Sequence, residues 1–142
     1  LGITVHAGEP NVPGAPGNIL VALDELGADR IGHGVQAIKD DRVVERLARE
    51  GVVLELCPTS NVLTQAVSTV GDHPIQSLMQ RGVRTTINTD DPGVMGLTLM
   101  DECMALQAHL GMTLQDIRQC NEWSRQASFL PTPTIQSVWP QP

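Results

Sequence analysis

Four short apolar runs, each followed at its C-terminal end by polar residues able to do chemistry, constrain this chain most. The runs are Leu1–His6 (LGITVH), Arg30–Val35 (RIGHGV), Val52–Cys57 (VVLELC) and Val83–Asn88 (VRTTIN). Each is β-branched and nearly continuous in its apolar character, which is how strands buried on both faces read. Between them lie helical patterns. After a Gly/Pro loop from Pro10 to Gly17, Ile19, Ala22, Leu23 and Leu26 fall at i, i+3, i+4, i+7, and Gly27 offers a C-terminal cap. Asp40 or Asp41 can cap a helix bearing Val43, Val44, Leu47 and Ala48, stopped by Gly51. A loop from Thr59 to Asp72 leads to Pro74, suited to a first helical position, with Ile75, Leu78 and Met79 on one face.

Beyond the fourth run the chain reads as helical. Leu99, Cys103, Leu106 and Leu110 form a stripe, and Thr113-Leu-Gln-Asp116 is a capping box. Pro131 to Pro142 holds four prolines and reads as an extended tail behind a domain spanning residues 1–130. Alternating strands and helices specify an α/β fold with a parallel sheet under helical cover. No dinucleotide fingerprint or P-loop lysine occupies a strand-to-helix turn, which disfavours a nucleotide-cofactor sheet. His6 with Glu9, His33, the Thr59-Ser60-Asn61 group, and Asp90 with Asp91 all follow a strand's C-terminal end. In a (β/α)8 barrel that face supplies the catalytic groups, so four consecutive units point to one shared site.

Composition removes several classes. The formal charge of −7 and the near-absence of aromatics (Trp123, Phe129, Trp139) leave neither a basic patch nor stacking platforms for nucleic acid. No run approaches the roughly 20 apolar residues of a membrane span, and the start does not resemble a signal peptide. Cys57, Cys103 and Cys120, odd in number, fit reduced thiols in a cytoplasmic protein.

The segments His6-Ala-Gly-Glu9, Arg30-Ile-Gly-His-Gly34, Leu56-Cys-Pro-Thr-Ser-Asn61 and Asn88-Thr-Asp-Asp-Pro92 resemble the C-terminal signatures of the adenosine deaminases, metal-dependent amidohydrolases, in that family's order. The resemblance runs to about Pro131, and Asn121 and Ala127-Ser-Phe-Leu130 are similar to the family's last helix. It implies the C-terminal half of a (β/α)8 barrel that deaminates a purine nucleoside or base with zinc (Zn2+). Carried over position by position, it implies that His6 and Asp90 are zinc ligands and that Glu9 delivers a proton to a purine nitrogen. His33 then takes the attacking water's proton or orients that water, and Asp91 fixes the base. Imidazole and carboxylate suit zinc where a coordination position stays open, and a divalent metal lowers the pKa of water toward about 7.

One departure is large. The family draws two more histidines from a His-X-His pair, and this sequence has none; its other histidines are His73 and His109. That absence, with a first residue that is Leu rather than Met inside a strand-like run, reads as a chain cut from something longer. The Pro-Cys-X-X-Cys signature of an unrelated deaminase class is absent too. Two readings follow: an incomplete enzyme acting on a small purine, or a non-catalytic chain that folds or assembles only with a partner; self-association or pairing with a missing N-terminal half-barrel is expected of the open edges. Adenosine, adenine and modified adenine nucleosides all remain open as substrates. Plainer roles are expected elsewhere. His73 precedes a helix, His109 sits at a helix C-terminus, Cys57 is a buried apolar residue, and Met95, Met100 and Met104 serve packing. Thr59, Ser60 and Asn61 either line a pocket or bond locally.

Overall fold

The computed structural model describes residues 2–139. Four strands, β1 (Thr4–Ala7), β2 (Arg30–His33), β3 (Val53–Leu56) and β4 (Arg84–Ile87), form one sheet in the order β1-β2-β3-β4. All three pairings are parallel, with Val5 beside Ile31, Ile31 beside Leu54 and Leu54 beside Thr85. Helices α1 (Ala15–Asp24) and α2 (Asp41–Glu50) follow the first two strands, and the 3₁₀ turn Val35–Lys39 precedes α2. Next come α3 (Pro58–Leu63), a 3₁₀ turn at Val70–Asp72, and α4 (Ile75–Gln80). After β4 the chain forms α5 (Pro92–Met95), α6 (Leu99–Leu110), α7 (Leu114–Gln126) and α8 (Thr132–Val138). This is a run of four βα units, part of a (β/α)8 barrel.

Burial divides the sheet's two faces. Ile31, Leu54, Leu56 and Val83 join Ile19, Ala22, Val43, Val44, Leu47, Ile75, Leu78, Leu106 and Cys120 in one aliphatic core under the helices. The other face is polar. Thr4 Oγ1 donates to Glu55 Oε2 at 2.8 Å, and Arg30 Nε lies 3.0 Å from Glu55 Oε1 as an ion pair without an in-line hydrogen bond. Arg30 also donates to the Ala127 carbonyl at 3.0 Å, and its guanidinium lies 3.8 Å from the centre of the Phe129 ring. Period-two alternation therefore gives the core one set of residues and an open cavity the other.

The expected caps form. Asp40 accepts from the Arg42 backbone N–H, and Gly51 closes α2 in the left-handed region at φ 68°. Thr113 and Asp116 complete the capping box of α7. Four expectations change. Each strand is shorter than its apolar run, and Leu1 lies outside the described residues. The stretch read as a loop from Thr59 contains α3, because the buried Glu102 carboxylate of α6 accepts from the Thr59 N–H at 3.2 Å and satisfies that helix start from 43 residues away. The Pro-rich tail is helical over Thr132–Val138 rather than extended. Pro131 and Pro133 fall at the N-cap and in the first turn, where a missing N–H breaks no helical bond; Pro140 and Pro142 lie outside the described residues. Met100 and Met104, expected to pack, are exposed at 66% and 52%. No helix among the described residues is long and apolar enough to cross a membrane.

Candidate active site

At the C-terminal ends of the four strands the structure gathers most of the chemical residues. His6 sits in β1, and Gly8 then turns the chain at φ 68° so that Glu9 returns beside it. A side chain at Gly8 would meet Ile19 at 2.6 Å, so the turn needs glycine for space as well as conformation. Glu9 Oε2 lies 3.1 Å from His6 Nε2. His33 ends β2, and its ring centroid is 4.5 Å from that of His6. Ligand atoms of His6, Glu9 and His33 all fall within 4.8 Å of one another.

Asp90 approaches from the loop after β4, with Oδ2 3.8 Å from His33 Nε2. Its other neighbour is Ser60 on α3, whose hydroxyl donates to Asp90 Oδ2 at 2.7 Å. His33 and Asp90 are both held at positive φ, 62° and 59°, a strained conformation for residues with side chains. Backbone strain of this kind concentrates at functional sites. Asp91 is the exception to the gathering. It is exposed at the start of α5, and its carboxylate makes no hydrogen bond among the described residues.

A second ring of hydrogen bonds lies beneath these groups. Glu9 Oε1 accepts from Asn61 Nδ2 at 3.1 Å and from Thr64 Oγ1 at 2.9 Å. Asn61 Nδ2 also stands 3.1 Å from His33 Nδ1. Asn61 and Thr64 are three apart on and just after α3, so one helical face presents both. The polar sequence Thr59-Ser60-Asn61 leaves pocket lining and local bonding equally open, and only the i, i+3 spacing from Asn61 marks Thr64. Below Asn61 lies His73, buried, with Nε2 3.1 Å from Asn61 Oδ1.

Burial sets the charge states. It holds the His33 imidazole below its ordinary value, a tendency opposed by the nearby Glu9 carboxylate. It takes His73 down to about 4, so this ring is neutral near pH 7. Cys57, which also borders the cavity, is pushed up to about 12 by burial and by the carboxylates of Asp90, Glu102 and Glu9. Its thiol is no nucleophile, in keeping with its lack of a partner in the sequence.

The cavity above these residues measures about 560 Å³ and is lined by Thr4, His6, Gly32, His33, Glu55, Cys57, Asn88, Thr89 and Asp90. That is room for a purine-sized molecule. Imidazole and carboxylate are donor types that suit a divalent metal, and those close enough to share one ion are His6, Glu9 and His33, with Asp90 3.8 Å from His33. The His6 side chain is 63% exposed toward solvent, so its ring is accessible, while the hydrogen bond from Ser60 orients the Asp90 carboxylate.

Comparison with known proteins agrees with this geometry. The family model described as adenosine deaminase matches residues 1–139. The chain belongs to the adenosine deaminase family. Adenosine deaminase of Erwinia tasmaniensis is 43% identical over 130 residues, covering 92% of this chain and 38% of the relative. The crystal structure of an adenine deaminase from Arthrobacter aurescens superposes with a TM-score of 0.88 at 33% identity, over 95% of this chain and 40% of that one. An N6-mAMP deaminase from Arabidopsis superposes with a TM-score of 0.79 at 26% identity, over 96% of this chain and 39% of that one. The chain thus spans 38% of the length of that curated family member.

Proposed function

We propose that this chain supplies the C-terminal half of a zinc-dependent deaminase site that hydrolyses the exocyclic amine of an adenine ring, as a nucleoside or free base. The observation that carries the reading is the convergence of His6, Glu9 and His33 within 4.8 Å, with Asp90 3.8 Å from His33, at the ends of consecutive parallel strands. The named relatives act on adenosine, adenine and N6-mAMP. What these share is an adenine ring with nitrogen on C6.

In this reading His6 and Asp90 hold zinc together with ligands from outside this sequence, since it contains no His-X-His pair. The ion, when bound, makes a water nucleophilic near neutral pH. The chain's own residues do the rest. Glu9 gives a proton to a ring nitrogen as the C6 carbon becomes tetrahedral, and Asn61 and Thr64 fix its carboxyl for that task. His33 faces Asp90 through Nε2 and hydrogen-bonds the attacking water. Asp91, exposed at the mouth, accepts a hydrogen bond from the base. Three free cysteines fit the reducing cytoplasm.

A partner half-barrel enters the reading through the sheet edges, because β1 and β4 each pair on one side only among the described residues. The test is release of ammonia from adenosine and adenine, and of methylamine from N6-methyl-AMP, by the complete zinc-loaded barrel. Turnover of one of them, lost in His6→Ala and Asp90→Ala along with zinc, supports the proposal. Full zinc occupancy with no turnover of any aminopurine overturns it.

A further inference from the structure

Buried under the site is His73, which touches neither the cavity nor Asp90, and whose place in the sequence suggests only that it precedes a helix. Its hydrogen bonds leave one arrangement. The backbone N–H of Ile75 donates to His73 Nδ1 at 3.2 Å, so that nitrogen is an acceptor. The neutral ring must then carry its hydrogen on Nε2, which faces Asn61 Oδ1 at 3.1 Å. A donor at that position fixes which end of the Asn61 amide is oxygen. Its NH2 end therefore points the other way, toward Glu9 Oε1 and His33 Nδ1, each at 3.1 Å.

Both hydrogens of that NH2 are used, one on each acceptor. His33 Nδ1 also lies 3.5 Å from Glu9 Oε1, which would suit a hydrogen on Nδ1. The shorter approach of a donor from Asn61 excludes it, because two N–H groups would then face each other. The hydrogen of a neutral His33 consequently sits on Nε2, the nitrogen directed at Asp90 and the cavity.

We propose that His73 and Asn61 are positioning residues: a buried hydrogen-bond relay, Ile75 N–H to His73 to Asn61, that sets the tautomer of His33 and the orientation of Glu9. This rests on the deaminase reading for its effect on rate, but its structural half stands apart from any substrate. Neither residue meets the reacting atoms. The relay is directional because it begins at a backbone amide, which can only donate, and each later member is left with one role. Asn61 is fully buried and His73 is 2% exposed, so water does not compete for these partners.

The test uses the complete zinc-loaded barrel and reads two things, the ¹⁵N imidazole signature of His33 and the steady-state constants. In the wild type His33 shows the Nε2–H tautomer. His73→Leu frees the Asn61 amide to turn, so the His33 signature becomes mixed and kcat falls about 10- to 100-fold, with KM changed by less than about threefold and zinc retained. His73→Gln, whose amide keeps a donor where Nε2 stood, restores both readouts to within about fivefold of wild type. Asn61→Asp, the same shape with no donor, moves the His33 hydrogen to Nδ1. If His73→Leu and Asn61→Asp leave the His33 signature as in wild type, the proposal is wrong, whatever happens to the rate. If His73→Gln and His73→Leu lose kcat equally with an unchanged signature, His73 is merely structural. A wild type that turns over no aminopurine ends the deaminase reading instead, and the ring signature still decides the relay.

Discussion

Ser60 Oγ donates to Asp90 Oδ2 across 2.7 Å, tying the first turn of α3 to the loop after β4. The contact holds a carboxylate whose own backbone is strained at φ 59°, so its direction depends on this one donor. On the proposed ligand role of Asp90, Ser60→Ala should weaken zinc binding by about 10- to 100-fold, the usual scale for outer partners of a ligand. Competition against a calibrated chelator measures it. Zinc affinity unchanged in a folded Ser60→Ala protein would show that Asp90 needs no such support.

Glu102 is fully buried on α6 and binds the start of α3 through the Thr59 N–H and, at 3.0 Å, the Thr59 hydroxyl. Burial raises its pKa, and the two bonds from Thr59 work against that rise. Glu102→Ala leaves these donors unpaired inside the protein, at a cost of about 2–3 kcal/mol, while Glu102→Gln should cost clearly less. Urea unfolding at fixed zinc reads both. A Glu102→Ala protein within about 0.5 kcal/mol of wild type would contradict the assignment.

His73 gives the stability a defined pH dependence. Its folded value of about 4 lies below the roughly 6.5 of an unfolded histidine, so the unfolded chain binds the extra proton first. The stabilisation is fully present above about pH 6.5 and is lost as pH falls toward 4, by about 3 kcal/mol at about 1.4 kcal/mol per pH unit. His33, also lowered by burial, acts in the same direction, so His73→Gln should flatten the acid slope without abolishing it. An identical slope in His73→Gln would mean that His73 is not held neutral in the fold.

Much of this architecture is readable from residue order alone. Strand-helix alternation, the caps at Asp40 and Thr113, and the placement of His6, Glu9, His33 and Asp90 in or just after the strands follow from local periodicity and turn chemistry. Helix α3 is not readable in this way, because Pro58-Thr-Ser-Asn is polar and its N-terminal support comes from Glu102, 43 residues from Thr59. The same holds for His73. Its neighbours in sequence suggest a helix start, whereas its hydrogen-bond partner Asn61 is brought to it by the turn at Val70–Asp72 and the packing of α3. Helical spacing suggests packing for Met100 and Met104, but spacing cannot say whether a second layer exists to receive them.

The open sides of β1 and β4 set the behaviour of the 142-residue chain by itself. Parallel edges that are unpaired among the described residues, and exposed Leu99, Met100 and Phe129, favour association, so sedimentation at micromolar concentration should show oligomers or aggregates. Ammonia release from adenosine by this chain with added zinc should be negligible, since His6 and Asp90 cannot alone fix the geometry that activates water. A stable monomer turning adenosine over at ordinary enzyme rates would contradict both expectations.

In the proposed mechanism Glu9 works on the substrate and not on the metal, although Oε2 lies 3.1 Å from His6 Nε2. Asn61 and Thr64 hold its other oxygen, which keeps the carboxyl turned as a proton donor. Glu9→Gln preserves the shape but has no proton to transfer. The most direct measurement is zinc content and kcat taken together on Glu9→Gln in the complete barrel. Near-normal zinc, a modest change in KM and a kcat lowered by at least about 10²-fold are expected. Loss of zinc with full activity per remaining zinc would make Glu9 a ligand and contradict its role as the proton donor.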